Sequence, residues 1–293
     1  MLENAVFWGA GCAFVWGFSD YVARLAGRSV GAMAATLAMM AVGAVLIAVI
    51  MVAMAEPVDW RLDGLHWLLA IGAGTTIGAM LFFYAVTHGP VSLAAPMVAS
   101  YPAVAVPISV ALGARPGPII WGAMAITLAG IWLVARTVSA NSGGETAKEY
   151  TPAAIRRTII LSLAAASIYA ASLTAADEAV EMYGALQTVL VVRLMGTIVL
   201  IGVVFGRRRE RPLFPRRIWP VLVAFGVLDT LGHLFLFFGL DTAHGEYAIV
   251  ASVAYTAVTV LLARIFLHEP VSKLQWGGVA LTIAGVAILG AFG

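Results

Sequence analysis

The chain has 293 residues, of which 62% are hydrophobic and 11% are charged, and its formal net charge is +2. Its mean hydropathy is +0.97. A soluble domain could not cover so much apolar surface with so few polar side chains, so the composition excludes a soluble globular protein and predicts a membrane protein. The single cysteine, Cys12, lies in an apolar run, which excludes a disulfide framework and a thiolate metal cage.

Ten hydrophobic stretches follow one another along the chain, each close to the ~20 apolar residues that cross a bilayer. They run from Ala5 to Ala23, Gly31 to Ala55, Leu65 to Val86, Val91 to Gly113, Pro118 to Ala135, Ile159 to Ala176, Ala185 to Phe205, Ile218 to Leu240, Tyr247 to Leu267, and Leu274 to Phe292. The alternation typical of membrane strands is absent from them, so we predict an all-α membrane protein with ten transmembrane helices. The first four residues lack Lys and Arg, and no Ala-x-Ala site follows, so we expect a retained first span rather than a cleaved signal peptide.

The second half of the chain repeats short motifs of the first half. Their separation is nearly constant, at 156 residues for His-Gly, 154 for Tyr-x-Ala-Val and 155 for Trp-Gly. The pairs begin at His88 and His244, Tyr101 and Tyr255, and Trp121 and Trp276. A constant offset of about half the chain indicates two homologous units. We therefore predict two five-helix repeats, residues 1–136 and 159–293, joined by a cytoplasmic loop at 137–158.

The orientation of the repeats follows from their helix number and from the basic residues. Because five is odd, the repeats must have opposite orientations, the inverted-repeat architecture of many secondary transporters. One predicted face holds fourteen of the 17 Lys and Arg residues, while the other holds Arg61 and Arg115. The positive-inside rule therefore predicts both termini outside. We expect the membrane to be a bacterial inner (plasma) membrane. The basic run from Arg207 to Arg217 adjoins a span, so topology and anionic lipids explain it better than nucleic acid.

Several motifs, in a fixed order across both units, point to one family. Leu267-His268-Glu269-Pro270 precedes a glycine-containing final stretch, and the chain also has Val15-Trp16-Gly17, Phe83-Tyr84-Ala85 before His88-Gly89, and Ser100-Tyr101-Pro102. This arrangement resembles the ten-span drug/metabolite transporter superfamily of the EamA type. The resemblance implies transport of small metabolites, often export. The first half departs from it, since Ala114-Arg115-Pro116 stands where a glutamate is expected, and only Glu269 retains that residue.

One cluster of ionisable residues is predicted near the middle of the membrane. Arg193 lies about eight residues into the seventh stretch, too deep for easy snorkelling, and an arginine at that depth needs a partner or a water-filled cavity. At matching depth in the eighth stretch lies His233, with Asp229 one helical turn deeper on the same face. A structural ion pair and a substrate-facing site are both open, and a substrate carboxylate could compete for Arg193. If protons drive transport, Asp229 and His233 are the predicted carriers.

Asp20 lies near the inner end of the first stretch. An ion pair with Arg24 at i+4 is the favoured interpretation, and a proton or substrate site at an inner gate is the alternative. Aromatic residues also lie inside the stretches, and we predict that they line a shared cavity, with simple packing open for each. They are Trp16, Tyr84, Tyr101, Tyr169 and Tyr255.

Proline and glycine residues predict local helix geometry. Pro96, Pro102 and Pro107 remove backbone donors from the fourth stretch, which predicts a kinked helix that either forms a gate or simply bends. The ninth stretch, its repeat mate, has no proline. Gly74-x-x-x-Gly78 and the glycines of the fifth and tenth stretches predict close helix contacts, the latter between the two halves.

The motifs of hydrolases and nucleotide hydrolases are absent from the sequence, so we expect no enzyme, no cofactor and no metal. The predicted function is a secondary transporter that exports small metabolites, such as amino acids or aromatic compounds, by alternating access through a central cavity. A lipid flippase-like protein and a non-transporting membrane sensor are the alternatives. The predicted partners are a small-molecule substrate and membrane lipids, and the presence of both repeats in one chain is compatible with a monomer.

Overall fold

The computed structural model describes the chain except for residues 1–4, 60, 102, 105–109, 111–114, 116, 142–149, 207–213, 243–244 and 293. For residues 135–141, 173, 174, 177, 245–247, 289 and 290, it describes the backbone alone. Within the described part, all regular structure is helical. The α-helices are α1 (Ala5–Val30), α2 (Ala32–Met54), α3 (Leu65–His88), α4 (Val91–Val98), α5 (Pro118–Asn141), α6 (Pro152–Gly206), α7 (Trp219–Leu240), α8 (Gly245–Ser252), α9 (Tyr255–Phe266) and α10 (Lys273–Phe292).

Six helical stretches are long and apolar enough to cross a membrane. They are Ala32–Met54, Leu65–His88, Pro152–Ser172, Glu178–Gly206, Arg216–Leu240 and Ala248–Phe266. α5 and α10 contain shorter apolar helices, and α1 has 26 residues but carries Asp20, Arg24 and Arg28 in its second half. The all-helical, multi-span character is thus confirmed for the described residues. Ten membrane helices remain a prediction.

Two predicted spans, the sixth and the seventh, lie in α6 on either side of Gly184. Gly184 has φ 75° and ψ 161°, a conformation that a glycine adopts without the steric cost of a side chain. Thr188 Oγ1 donates to the carbonyl of Ala179 at 3.1 Å, although nine residues of straight helix would separate the two by about 13.5 Å. The chain therefore reverses at Gly184, which makes α6 two arms, residues 152–183 and 185–206. α6 begins at Pro152 and α5 ends at Asn141, so the predicted loop at 137–158 is helical at both of its ends.

The side chains that face outward from the spans are apolar. Val45, Val49 and Val52 of α2 are exposed, as are Ile198 and Ile201 in the second arm of α6. Such a surface would be a liability in water but matches the hydrocarbon of a bilayer. The exposed apolar surface therefore agrees with the membrane location that composition predicts.

One close contact between the two halves is the crossing of α5 and α10. A Cβ atom added to Gly130 would lie 2.6 Å from the backbone nitrogen of Thr282, and one added to Gly285 would lie 2.7 Å from that of Thr127. Gly130 and Gly285 are 155 residues apart, and so are Thr127 and Thr282. The two contacts are therefore related by the repeat. Small residues let the backbones meet here, as the glycines of these stretches predict.

The fourth and ninth predicted spans are interrupted at equivalent places. After α4, residues Ala99 and Ser100 form a turn before Tyr101 is helical again, and Val253 and Ala254 form a turn between α8 and α9. Proline is not the common cause, because the ninth span has none. A hydroxyl at or beside each turn bonds a carbonyl three residues back, from Ser100 to Met97 at 2.6 Å and from Ser252, the last residue of α8, to Ile249 at 2.8 Å. The interruption of the fourth span thus has a counterpart in a span without proline, and the gating role of Pro96, Pro102 and Pro107 stays a prediction.

Candidate functional site

A central cavity of about 100 Å³ lies between the two repeats. Helices α1, α3 and α4 line it from the first repeat, and α6, α7 and α9 from the second. The lining residues are Trp16, Asp20, Ile71, Thr75, Phe82, Phe83, Val98, Tyr101, Tyr169, Ser172, Ala176, Asp229, His233, Leu236, Phe237 and Tyr255.

The predicted cluster of Arg193, Asp229 and His233 is present at the wall of this cavity. A terminal nitrogen of Arg193 lies 2.7 Å from a carboxylate oxygen of Asp229 and 2.9 Å from Nδ1 of His233. His233 Nδ1 also lies 2.9 Å from the backbone carbonyl oxygen of Asp229, one helical turn before it. The geometry follows from the sequence because the second arm of α6 and the helix α7 place these residues at the same depth. The cluster ties these two helices together.

Arg193 itself does not line the cavity. Its side chain is 0% exposed, and its other terminal nitrogen lies 3.0 and 3.4 Å from the sulfur atoms of Met39 and Met40. Gly43 of α2 leaves the space for it, since a Cβ atom there would lie 3.0 Å from Arg193 Cδ. Asp229 and His233 stand between the guanidinium and the cavity. In this conformation Asp229 and His233 face the cavity, and Arg193 pairs with the Asp229 carboxylate and contacts His233 from behind.

Asp20 is a second carboxylate at the cavity, and its partner comes from the other repeat. Its side chain accepts a hydrogen bond of 2.9 Å from the hydroxyl of Thr259 on α9, and the residue is 4% exposed. The favoured ion pair with Arg24 is not formed between these two described residues, so that expectation is wrong. Arg24 points instead to the turn between α3 and α4, where one of its terminal nitrogens donates to the carbonyl of Val86 at 2.5 Å.

The turn from Val86 to Ser92 is held by three side chains that we call the turn clamp, namely Arg24, Glu269 and Gln275. Arg24 donates to the carbonyls of Val86, Thr87 and Gly89 at the C-terminal end of α3. The buried carboxylate of Glu269 accepts from the backbone N–H groups of Val91 and Ser92, both at 3.0 Å, at the start of α4. These charges match the polarity of the two helix ends.

Pro96 explains why Gln275 belongs to the clamp. A proline has no N–H group, so the carbonyl of Ser92, four residues before it, loses its helical partner. The amide nitrogen of Gln275 donates to this carbonyl at 3.1 Å. Pro96 therefore lies inside α4 without ending it, and its freed carbonyl is bonded by the second repeat. The two other predicted gating residues, Pro102 and Pro107, lie outside the described residues.

Four of the five predicted aromatic residues line the cavity. Trp16 packs edge-on against His233, with ring centroids 5.1 Å apart, and against Tyr255, at 5.9 Å. Its indole Nε1 is buried without a hydrogen-bond partner among the described residues. Tyr169 lies against Gly78, where a Cβ atom would come within 2.6 Å of its ring. The third-span glycines thus bring α3 and α6 together at this ring.

Tyr84 lies away from the other aromatic residues. Its ring stacks on that of His88 at 4.1 Å, and the guanidinium of Arg157 lies over it at 5.3 Å. It is absent from the described lining of the cavity, which leaves its predicted contact with substrate without structural support. Conversely, sequence reasoning missed Thr75, Ser172 and Thr259. A signal existed, since each is a hydroxyl residue inside an apolar stretch.

The chemistry of the cavity is that of a binding site. Within the described residues, no three His, Cys, Asp or Glu side chains gather as a metal-ion site. The wall combines aromatic faces with a few polar groups contributed by both repeats. Ligand sites in proteins have this composition, because apolar walls supply affinity and a few polar groups fix orientation.

Many secondary transporters are built from two helical repeats with a binding site between them. A family model described as "EamA-like transporter family" matches residues 3–136 and 156–291. The chain belongs to this family of the drug/metabolite transporter superfamily, whose members are transporters, as the resemblance implied. A solved structure described only as "Crystal structure of protein" shares the fold, with a TM-score of 0.68 and 17% identity over 97% of this chain and 95% of that one. No curated protein matches.

Proposed function

We propose that the protein is a secondary transporter that exports small solutes across the bacterial inner membrane by alternating access. The observation that carries the proposal is the central cavity, because its lining residues come from both repeats. A movement of one repeat against the other would open the cavity at one end and close it at the other. Aromatic walls with a few polar groups favour a small amphipathic solute, such as an amino acid or an aromatic compound.

The turn clamp supplies a gate at one end of the cavity. It joins α1 and the segment from Glu269 to Gln275 to the α3–α4 turn, so opening at that end must break these hydrogen bonds. The repeat offset of 155 residues aligns Glu269 with Ala114 and Arg24 with Ala179. A matching clamp is therefore not encoded at the other end. Since the positive-inside rule assigns the clamp end to the cytoplasm, the resting protein favours the state that is closed to the cytoplasm.

A comparison of metabolite pools tests the proposed function. Cells that overexpress the protein should lose one or more small metabolites from the cytoplasm and enrich them in the medium. Thr75→Phe, which places a ring in the cavity, should abolish this enrichment, whereas Leu62→Phe at an exposed position should preserve it.

Unchanged pools in both compartments would overturn the transport proposal and favour a membrane sensor. A redistribution of lipid between leaflets, with unchanged soluble metabolites, would identify a flippase instead. Membrane levels of the two phenylalanine variants, measured by immunoblot, control for failed insertion.

A further inference from the structure

We propose that the cavity binds an organic cation, an amine attached to an aromatic or other apolar group, with its positive charge at Asp20. This inference rests on the proposed transport function and names the substrate class of the same site. It differs from the expectation that a substrate carboxylate pairs with Arg193. The reason lies in which charges face the cavity and which are already neutralised.

The charges around the cavity leave Asp20 without a counter-charge. Among the described lining residues, Asp20 and Asp229 carry carboxylates, and the described lining contains no Lys or Arg. Asp229 is neutralised by Arg193 at 2.7 Å. Asp20 receives only the hydroxyl of Thr259, a neutral donor, on one of its two oxygens. A buried carboxylate is stable in its ionised form only when a cation pairs with it, so the site calls for a proton or a cationic ligand.

The aromatic residues around Asp20 suit a cationic ligand that also has apolar surface. Trp16 lies four residues before Asp20 on α1, so the indole and the carboxylate share one face of that helix. Tyr255 packs against this indole, and Tyr101 and Tyr169 line the same cavity. Ring faces attract ammonium groups, tryptophan most strongly. The buried hydroxyl of Tyr101, at the cavity wall, offers a further acceptor.

A carboxylate ligand would meet the opposite conditions. It would lie beside the carboxylates of Asp20 and Asp229, and like charges repel strongly where little water screens them. Arg193 cannot offset this repulsion in the described conformation, because it is buried behind Asp229 and His233 and its terminal nitrogens are already engaged. The geometry therefore discriminates by charge, and the aromatic walls add preference for a flat apolar group.

Competition binding with three compounds of the same shape tests the inference. Phenethylamine carries an ammonium group, phenylalanine carries both an ammonium and a carboxylate, and 3-phenylpropanoate carries a carboxylate alone. Tritiated phenethylamine should bind the purified full-length protein saturably at pH 7.5. Unlabelled phenethylamine should displace it best, phenylalanine less well, and 3-phenylpropanoate least.

Asp20→Asn isolates the charge, because an asparagine oxygen can still accept the hydrogen bond from Thr259. Loss of a charge-assisted contact should weaken phenethylamine binding by about 10- to 100-fold. Asp63→Asn, at an exposed aspartate outside the cavity lining, should leave binding within twofold. Thermal unfolding of each variant shows whether it is folded.

Three results would overturn the inference, and two of them compare binding affinities. One is saturable binding of 3-phenylpropanoate that equals or exceeds binding of phenethylamine in the wild-type protein, a comparison that does not depend on any variant folding. The other is unchanged phenethylamine affinity in folded Asp20→Asn. Absence of phenethylamine binding, with metabolite export intact, would also reject the cation site but leave the transport proposal standing.

Discussion

The carboxylate of Glu269 should control how readily the turn clamp opens. It accepts two backbone hydrogen bonds at the start of α4, each 3.0 Å long and each involving a charged acceptor. Such bonds contribute about 1.5–3 kcal/mol apiece. Glu269→Gln keeps one accepting oxygen and turns an NH₂ group towards the other N–H. It should therefore destabilise the closed clamp, relative to the open one, by about 1.5–3 kcal/mol. The open state of the clamp should then become about 10- to 150-fold more populated.

Labelling of a buried position in the clamp measures this population. Ser92 is buried at the start of α4, so a cysteine at position 92, in a Cys12→Ala background, should react with a thiol reagent only when the clamp opens. We expect Glu269→Gln to raise the labelling rate at least tenfold. Glu178→Gln, at an exposed glutamate, is the matched control and should not change it. A rate within twofold of the parent in folded Glu269→Gln would refute the role of the clamp as a gate.

Three further predictions concern stability and topology. Arg193→Ala should lower the free energy of unfolding by about 3–5 kcal/mol, because it leaves Asp229 buried and unpaired. In the same denaturation assay, the double variant Arg193→Met with Asp229→Leu should be more stable than Arg193→Ala, because it leaves no buried charge unpaired. Gly130→Ala should lower the free energy of unfolding by about 1–3 kcal/mol, since its methyl group would collide with Thr282. Gly122→Ala should leave that free energy unchanged, because the added Cβ would meet no neighbouring atom within 4 Å. Equal thermal stability of the two variants would show that the α5–α10 crossing does not depend on Gly130. In intact cells, an impermeant thiol reagent should label a cysteine at Gly293 but not one in the basic loop, and the reverse pattern would overturn the predicted orientation.

Features that depend on helix geometry and on the cost of burying charge could be predicted from the sequence. The cluster of Arg193, Asp229 and His233 followed from counting depth along two antiparallel spans, because a central arginine in a membrane must find a partner. The close approach of Gly130 and Gly285 followed from the placement of small residues in the repeated stretches. Both arguments need only helical periodicity and the repeat.

Features that depend on contacts between the repeats could not be predicted in the same way. Asp20 has Arg24 one turn away on its own helix, and the sequence gives no sign that Thr259, 239 residues later, is the partner. The interruption at Val253 and Ala254 was not predicted, because the ninth span has no proline to mark it. Arg193 illustrates the same limit, since depth along a span does not tell which neighbours stand between a side chain and a cavity.

Two-sided labelling of the cavity tests the central claim of alternating access most directly, and it requires no known substrate. Thr75 is buried in the middle of α3 and lines the cavity, so Thr75→Cys in the Cys12→Ala background places a thiol at the site. We predict that an impermeant thiol reagent reaches this thiol from either side of the membrane, in right-side-out and in inside-out vesicles. A thiol at the exposed position Leu62 should react from one side alone. Labelling of the cavity thiol from only one side, or from neither, would contradict the proposal that the protein is a transporter.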